Sequence, residues 1–316
     1  MNKDMIFAYF IMLSTNMWGE PGAYAKHGPW RDHFMTDEAT WRRVIDYLPE
    51  CGFNTLVIDL GDAIQYESHP EISIPGAWSK DKMKQELDHI RSIGLTPIPK
   101  LNFSFGHHAW LKEYSRRPCT PEYYKVVEDL IREVAELFGY PKLFHLGMDE
   151  EWMVSKDKRP ENLTIIRPKR IWWHDINFEF DICDKVGARP WVWADDCWND
   201  PVDYCANMSK GTLQSNWYYT NFTSYKNPDG SFSRKEIETY RVLEKAGFDQ
   251  VPTSSALERW RNIRETMEVC NEIISPEHLK GYMTASWYFT FDRHVYGLLN
   301  EAQIFKYAKK AVFPET

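Results

Sequence analysis

The sequence predicts a single-domain α/β protein, a (β/α)8 TIM barrel spanning residues 1–316. Three observations carry that expectation. Apolar strand-like runs alternate with amphipathic helical stretches from one end to the other, the pattern of parallel βα units. The strand candidates number eight, and the eighth is followed by a helix as the sequence ends. The length, 316 residues, suits one barrel of about 250 residues with long loops and is ample for a large core.

The first strand falls at residues 6–13. It follows Lys3, and Ala23-Tyr24-Ala25 has the look of a cleavage site, so a signal peptide is the competing reading. The barrel needs this strand, which favours the first reading. A Gly- and Pro-rich loop precedes helix 1, capped by Thr36 or Asp37 and ending near Cys51-Gly52. Strand 2 covers 55–60, helix 2 covers 79–93 and strand 3 covers 96–101. Helix 3 opens on Thr120-Pro121, a cap followed by proline at the first helical position. Strand 4 (143–146), helix 4 (168–186) and strand 5 (190–194) follow. Residues 200–210 form a short helix or a loop. Strand 6 (212–217), helix 6 (233–246), strand 7 (250–253), helix 7 (257–274), strand 8 (282–287) and helix 8 (296–312) complete the count.

Composition narrows the function classes. The net charge is -8 and no long Lys/Arg run occurs, which argues against a nucleic-acid partner. No stretch is long and apolar enough to span a membrane. Six scattered cysteines lack metal-ligand spacing and read as free thiols, which favours an intracellular setting, with an exported protein that has lost its leader as the alternative. No cofactor and no metal is implied. Aromatic residues reach 15%, with 14 Trp, and Trp191, Trp193, Trp217 and Trp287 fall late in strands. Indoles there fill a core or stack on the C–H faces of a sugar. Barrel active sites sit at the C-terminal ends of the strands, so Asp62, His107, Asp149, Glu150 and Asp195 are expected to converge on one mouth.

Residues 144–152 read FHLGMDEEW, which resembles the H-x-G-G-D-E motif of the family 20 glycoside hydrolases, the β-N-acetylhexosaminidases. The likeness continues in order along the chain: WRDHF at 30–34, LVIDLGD at 56–62, the loop features HPEI at 69–72 and GAW at 76–78, IPKLNFSFGH at 98–107, then Trp193, Gln214/Trp217 and Trp287. The resemblance implies a small carbohydrate or glycoconjugate substrate and substrate-assisted retaining hydrolysis, an exception to the usual nucleophilic second carboxylate. Glu150 would be the general acid and base, and must hold a proton near neutral pH. Asp149 would bind the acetamido N–H and stabilise the oxazolinium ion. Asp62 and His107 would form a relay supporting Glu150. Arg31 would bind sugar hydroxyls, and Trp193, Trp217 and Trp287 would wall the pocket.

His145 reads as substrate-binding or as a core histidine, and Asp195 as substrate-binding or as a cap. Met148 replaces the second motif glycine and Asn102 an aspartate. The tyrosine expected after strand 7 is missing, with Tyr218 or Tyr219 as substitutes, and Tyr288-Phe289 stand where the family has x-Glu. Three alternatives stay open. Glu150 could pair with Asp195 or Glu258 in a two-carboxylate glycosidase acting on non-acetamido sugars. The barrel could be a non-catalytic carbohydrate binder. His107, His108, His145 and Asp149 could form a metal hydrolase, though no H-x-H or H-E-x-x-H occurs. Gluco or galacto configuration, linkage, exo or endo action and oligomeric state are not readable from the sequence.

Overall fold

The computed structural model describes residues 5–19, 29–151 and 167–314. Its strands are β1 (Ile6–Met12), β2 (Thr55–Asp59), β3 (Thr96–Lys100), β4 (Leu143–His145), β5 (Arg189–Trp193), β6 (Leu213–Ser215), β7 (Thr253–Ser254) and β8 (Gly281–Phe289). All pairings are parallel, in the order β6-β5-β4-β3-β2-β1-β8-β7. The two ends of that order meet: Val251 N donates to Gln214 O (2.8 Å) and Thr253 N to Asn216 O (2.9 Å). A strand-closing helix follows each strand: α1 (Glu38–Tyr47), α2 (Lys80–Ser92), α3 (Pro121–Leu137), α4 (Lys169–Lys185), α5 (Pro201–Asn207), α6 (Lys235–Lys245), α7 (Asn262–Ile273) and α8 (Val295–Val312). The architecture is the (β/α)8 barrel expected from the sequence. No helix among the described residues is long and apolar enough to cross a membrane. All six cysteines are free thiols.

Alternation on the strands separates two packed layers. On β1, Phe7, Tyr9 and Ile11 pack toward the helices, while Ala8, Phe10 and Met12 fill the barrel. β1 is paired with β2 on one side and β8 on the other, so the apolar segment near the start of the chain is a central strand. Ala23-Tyr24-Ala25 lies outside the described residues. Asp37, Ser79, Thr120 and Asp200 cap α1, α2, α3 and α5 by accepting the backbone N–H three residues on. Pro201 starts α5, which makes the ambiguous 200–210 segment a short helix.

Several boundaries depart from the sequence reading, and three regions show why. Pro97 and Pro99 sit on the side of β3 that faces β4 and have no N–H to donate. The β3–β4 ladder is therefore confined to its top, where Leu101 N donates to His145 O (3.1 Å). β6 and β7 are shorter than expected because they touch through isolated bridges at the closing seam. α7 begins at Asn262 rather than near Leu257. The Asn262 side chain accepts from Ser255 N (3.0 Å) and donates to Tyr218 O (2.7 Å) and Thr220 O (2.9 Å), which holds 255–261 as a loop at the mouth.

An ion pair lies inside the barrel. Lys100 Nζ donates to Asp59 Oδ2 at 2.5 Å, with Lys100 fully buried and its ammonium over the Phe10 ring. Burial pushes the Asp59 carboxyl up and Lys100 opposes that shift. Breaking one half of such a pair strands the other charge without water. Lys100→Met is therefore expected to cost about 3–5 kcal/mol in urea unfolding. Asp59→Leu combined with Lys100→Met should recover most of that loss; a double variant no more stable than the single would contradict this account.

Candidate active site

The polar residues that follow β2, β3, β4 and β5 meet at the C-terminal mouth of the barrel. The backbone after β4 turns sharply: Gly147, Met148 and Glu150 have φ of 77°, 73° and 58°. Glycine is required at 147, because a Cβ there would lie 2.0 Å from Asn102 Oδ1. Met148 adopts the left-handed conformation that glycine would take freely, and its buried side chain joins the core between barrel and helices. The turn thus accommodates a side chain at 148 by combining backbone strain with apolar burial.

Asn102 organises the acids. Its Nδ2 donates to Asp149 Oδ1 (2.9 Å), while its Oδ1 accepts from Ser104 N (3.1 Å). An amide suits this position: it donates to Asp149, whereas an aspartate would present a like charge. Ser104 Oγ donates to the Asp149 carbonyl oxygen, tying the loop after β3 to the turn after β4.

His107 stands between the two carboxylates. Its Nε2 lies 3.4 Å from Glu150 Oε2 and its Nδ1 3.7 Å from Asp149 Oδ1. Side-chain exposure is 5% for His107, 8% for Asp149 and 26% for Glu150, so Glu150 is the member open to a bound molecule. Burial opposes the imidazolium, but the Asp149 charge and the Glu150 contact outweigh it and lift His107 to about 9.

The remaining expected residues sort into two groups. Trp193, Trp217 and Trp287 line the mouth, with Trp193 and Trp287 centroids 6.1 Å apart. His145 is fully buried between Trp191 and Trp193, its Nδ1 accepting from Gly147 N (3.1 Å). Burial and Lys100 push its protonation far down, so it supports the Trp193 wall as a neutral ring.

Asp62 and His107 do not form the expected relay. Asp62 accepts from Ser14 Oγ (2.7 Å) and Asn16 Nδ2 (2.8 Å), while His107 faces Asp149 and Glu150. Burial raises Asp62 to about 6 against those two hydrogen bonds. Asn16 also holds the Arg31 backbone from both sides, at 2.7 and 2.8 Å, so Asp62 anchors the loop that carries Arg31. Asp195 is fully buried, and its oxygens accept from Glu150 N (2.8 Å) and Trp217 Nε1 (3.2 Å), which leaves it facing protein rather than a sugar.

Tyr218 turns away from the mouth. Its ring packs edge-on to Phe222 and its hydroxyl accepts from Thr220. Tyr219 is the one that faces inward, stacked on Trp217 at 4.9 Å, its buried hydroxyl having no protein acceptor among the described residues. The strand alternation fixes only one of two adjacent tyrosines toward the pocket, and the loop geometry selects Tyr219.

The sequence reading missed Trp18, whose indole reaches His107 (6.3 Å), Trp287 (6.4 Å) and Phe289 (5.9 Å) from the loop after β1. It also missed the support behind His107. Phe105 stacks on His108 at 4.8 Å, and the Arg167 guanidinium lies 3.7 Å from the Phe105 centroid. Arg167 pairs with Glu151 and Asp175. Burial, Arg167 and His107 push His108 down to about 3, which makes it the structural member of the histidine pair.

Ligand atoms of His107, Asp149 and Glu150 lie within 4.8 Å of one another. The four-residue metal set considered from the sequence is not assembled: His108 stacks on Phe105 and His145 sits inside the barrel. Glu258 is exposed in the loop after β7. It is therefore not paired with Glu150 in the buried cluster.

The fold and this site together define a (β/α)8 barrel with an Asp-Glu pair, a histidine held against both acids and clustered indoles at its mouth. Solved structures with this fold include a β-N-acetylhexosaminidase from Bacteroides fragilis, 13% identical, TM-score 0.61, covering 95% of this chain and 65% of that one. They also include the GH20 exo-β-N-acetylglucosaminidase from Vibrio harveyi in complex with N-acetylglucosamine, 14% identical, TM-score 0.60, covering 98% and 57%. The GH20 β-N-acetylhexosaminidase from Streptomyces coelicolor is 12% identical, TM-score 0.66, covering 97% and 68%. The chain spans less than two thirds of the length of the first two. At these identities the likeness establishes the barrel fold. No protein-family model and no curated protein matches the sequence.

The His107 charge makes a stability prediction. Its protonation is raised from 6.5 to about 9 in the folded protein. The resulting stabilisation is fully present below about pH 6.5 and is lost as pH rises through about 9. The Tm difference between wild type and His107→Gln should accordingly be largest near pH 6 and shrink by pH 9.5. A difference that stays constant across that range would contradict a protonated His107.

Proposed function

We propose that the protein is a glycoside hydrolase that removes terminal β-linked N-acetylhexosamine by substrate-assisted retaining catalysis. The observation that carries this reading is the His107–Asp149–Glu150 cluster at the barrel mouth, with Asp149 buried and Glu150 partly open. The solved structures that share the fold include enzymes named for this activity, which supports the same reading.

Each residue has a part that follows from its surroundings. Glu150 donates its proton to the glycosidic oxygen as the C1–O bond breaks, and the substrate's acetamido carbonyl oxygen attacks C1. Glu150, now a carboxylate, then takes a proton from the water that opens the oxazolinium ring, and the anomeric configuration is retained. Asn102 occupies Asp149 Oδ1, which leaves Oδ2 to accept the acetamido N–H and stabilise the cationic intermediate. The free Tyr219 O–H completes the acetamido site by donating to the carbonyl oxygen. A nucleophilic second carboxylate fits less well, since both Asp195 oxygens are already accepting N–H groups.

Chromogenic N-acetyl-β-glucosaminide and N-acetyl-β-galactosaminide, beside the matching β-glucoside and β-galactoside, test the proposal. Glu150→Gln should lower kcat on the acetamido sugars by about 100- to 10,000-fold while keeping sugar binding. Asp149→Asn should cost about 100-fold or more and act selectively on acetamido substrates. Wild-type rates from Glu150→Gln would overturn the assignment, and equal loss on plain glycosides in Asp149→Asn would overturn substrate assistance.

A further inference from the structure

Asp195 opens a short 3-10 turn directly after β5 and is fully buried. Its Oδ2 accepts from the backbone N–H of Glu150 at 2.8 Å and its Oδ1 from the Trp217 indole N–H at 3.2 Å. Both neighbours are obligate donors, so only a group with an acceptor on each side satisfies the site. A carboxylate is that group: burial and the Asp149 and Glu150 charges push Asp195 up, and these two N–H donors oppose that shift. What it holds is significant on both sides. Glu150 has φ of 58°, a conformation that L-residues other than glycine disfavour and that needs external support. Trp217 carries Tyr219 stacked on its ring at 4.9 Å and meets Trp198 edge-on at 4.5 Å. Trp198 is itself held by Asn216 (2.7 Å).

We propose that Asp195 is a positioning residue: one buried carboxylate that locks the Glu150 backbone and the Trp217 indole into a single frame, keeping the acid in register with the pocket wall. This rests on Glu150 being the acid. The link explains why a residue closed to substrate lies between the acid and the aromatic wall. It also means that the acid's position and the wall's position are not independent, because they share one acceptor group.

A double-mutant cycle on Asp195 and Trp217 tests the coupling, with kcat, KM and Tm measured on whichever substrate the wild type cleaves. In Asp195→Asn the carboxamide has one acceptor oxygen for two donors, so its NH2 must oppose either Glu150 N–H or the indole N–H. In the Trp217→Phe background the indole donor is gone, and the amide oxygen is free to take Glu150 N–H. Asp195→Asn alone should lower kcat by about 30-fold or more, and in the Trp217→Phe background by less than about 5-fold. Trp217→Phe alone should act mainly on KM.

An unchanged kcat in Asp195→Asn overturns the proposal, as does an equal loss in both backgrounds. If Asp195→Asn fails to fold, the double variant carries the test. A folded double variant with kcat within about 10-fold of Trp217→Phe supports the coupling, and failure to fold in both backgrounds overturns it in favour of a purely structural role. Glu150→Gln on the same substrate separates the two claims. Activity in that variant refutes Glu150 as the acid whatever Asp195 does. A dead Glu150→Gln with a wild-type Asp195→Asn refutes only the positioning role.

Discussion

Two carboxylates on adjacent residues, Asp149 and Glu150, share one pocket because a cation is held against both. The His107 imidazolium lies 3.4 Å from one and 3.7 Å from the other, and their charges keep it protonated against the pull of burial. The backbone has to bend to make this contact. A left-handed turn through Gly147, Met148 and Glu150 presents neighbouring side chains to the same histidine. An extended continuation of β4 would send them to opposite faces.

That turn is held from several directions. Asn102 grips Asp149 from the strand before, Ser104 grips its carbonyl, and Asp195 grips the Glu150 amide from the strand after. The packing behind His107 adds a second support, in which Arg167 joins the Phe105–His108 stack to Glu151 and Asp175. Below the mouth, the interior is not purely apolar: the Asp59–Lys100 pair sits beneath the acids and beside Phe10. Lys100 with Asp59, and Arg167 with Glu151 and Asp175, are paired with one another, which is what permits that charge to be buried.

Much of the barrel could be read from residue order alone. Caps at Asp37, Ser79 and Thr120 and the continuous apolar run of β1 are local signals, and the elements they mark are where the sequence puts them. The ends of β6 and β7 were harder, because their length depends on how the sheet closes and not on local pattern. The start of α7 depends on Asn262 reaching back to the loop after β6, a contact 42 or more residues away in sequence.

The site divides in the same manner. Residues just beyond β4, Asp149 and Glu150, and His107 in the loop after β3 were legible as a cluster because the barrel aims those loops at the mouth. Side-chain partners were not. Nothing in the sequence says that Asp62 turns to Ser14 and Asn16, that Asp195 turns inward to Glu150, or that Tyr219 rather than Tyr218 enters the pocket. Trp18 was hidden for another reason: it belongs to a loop with no periodic pattern, and only the folded chain brings it over His107.

The most direct measurement is calorimetric titration with N-acetylglucosamine-thiazoline, a stable mimic of the oxazoline formed when the acetamido group attacks C1. The account predicts binding to the wild type at micromolar concentration or tighter, with marked weakening in Asp149→Asn and in Tyr219→Phe. Absence of binding to the correctly folded wild type, or equal binding by all three proteins, would contradict an acetamido pocket built from Asp149 and Tyr219.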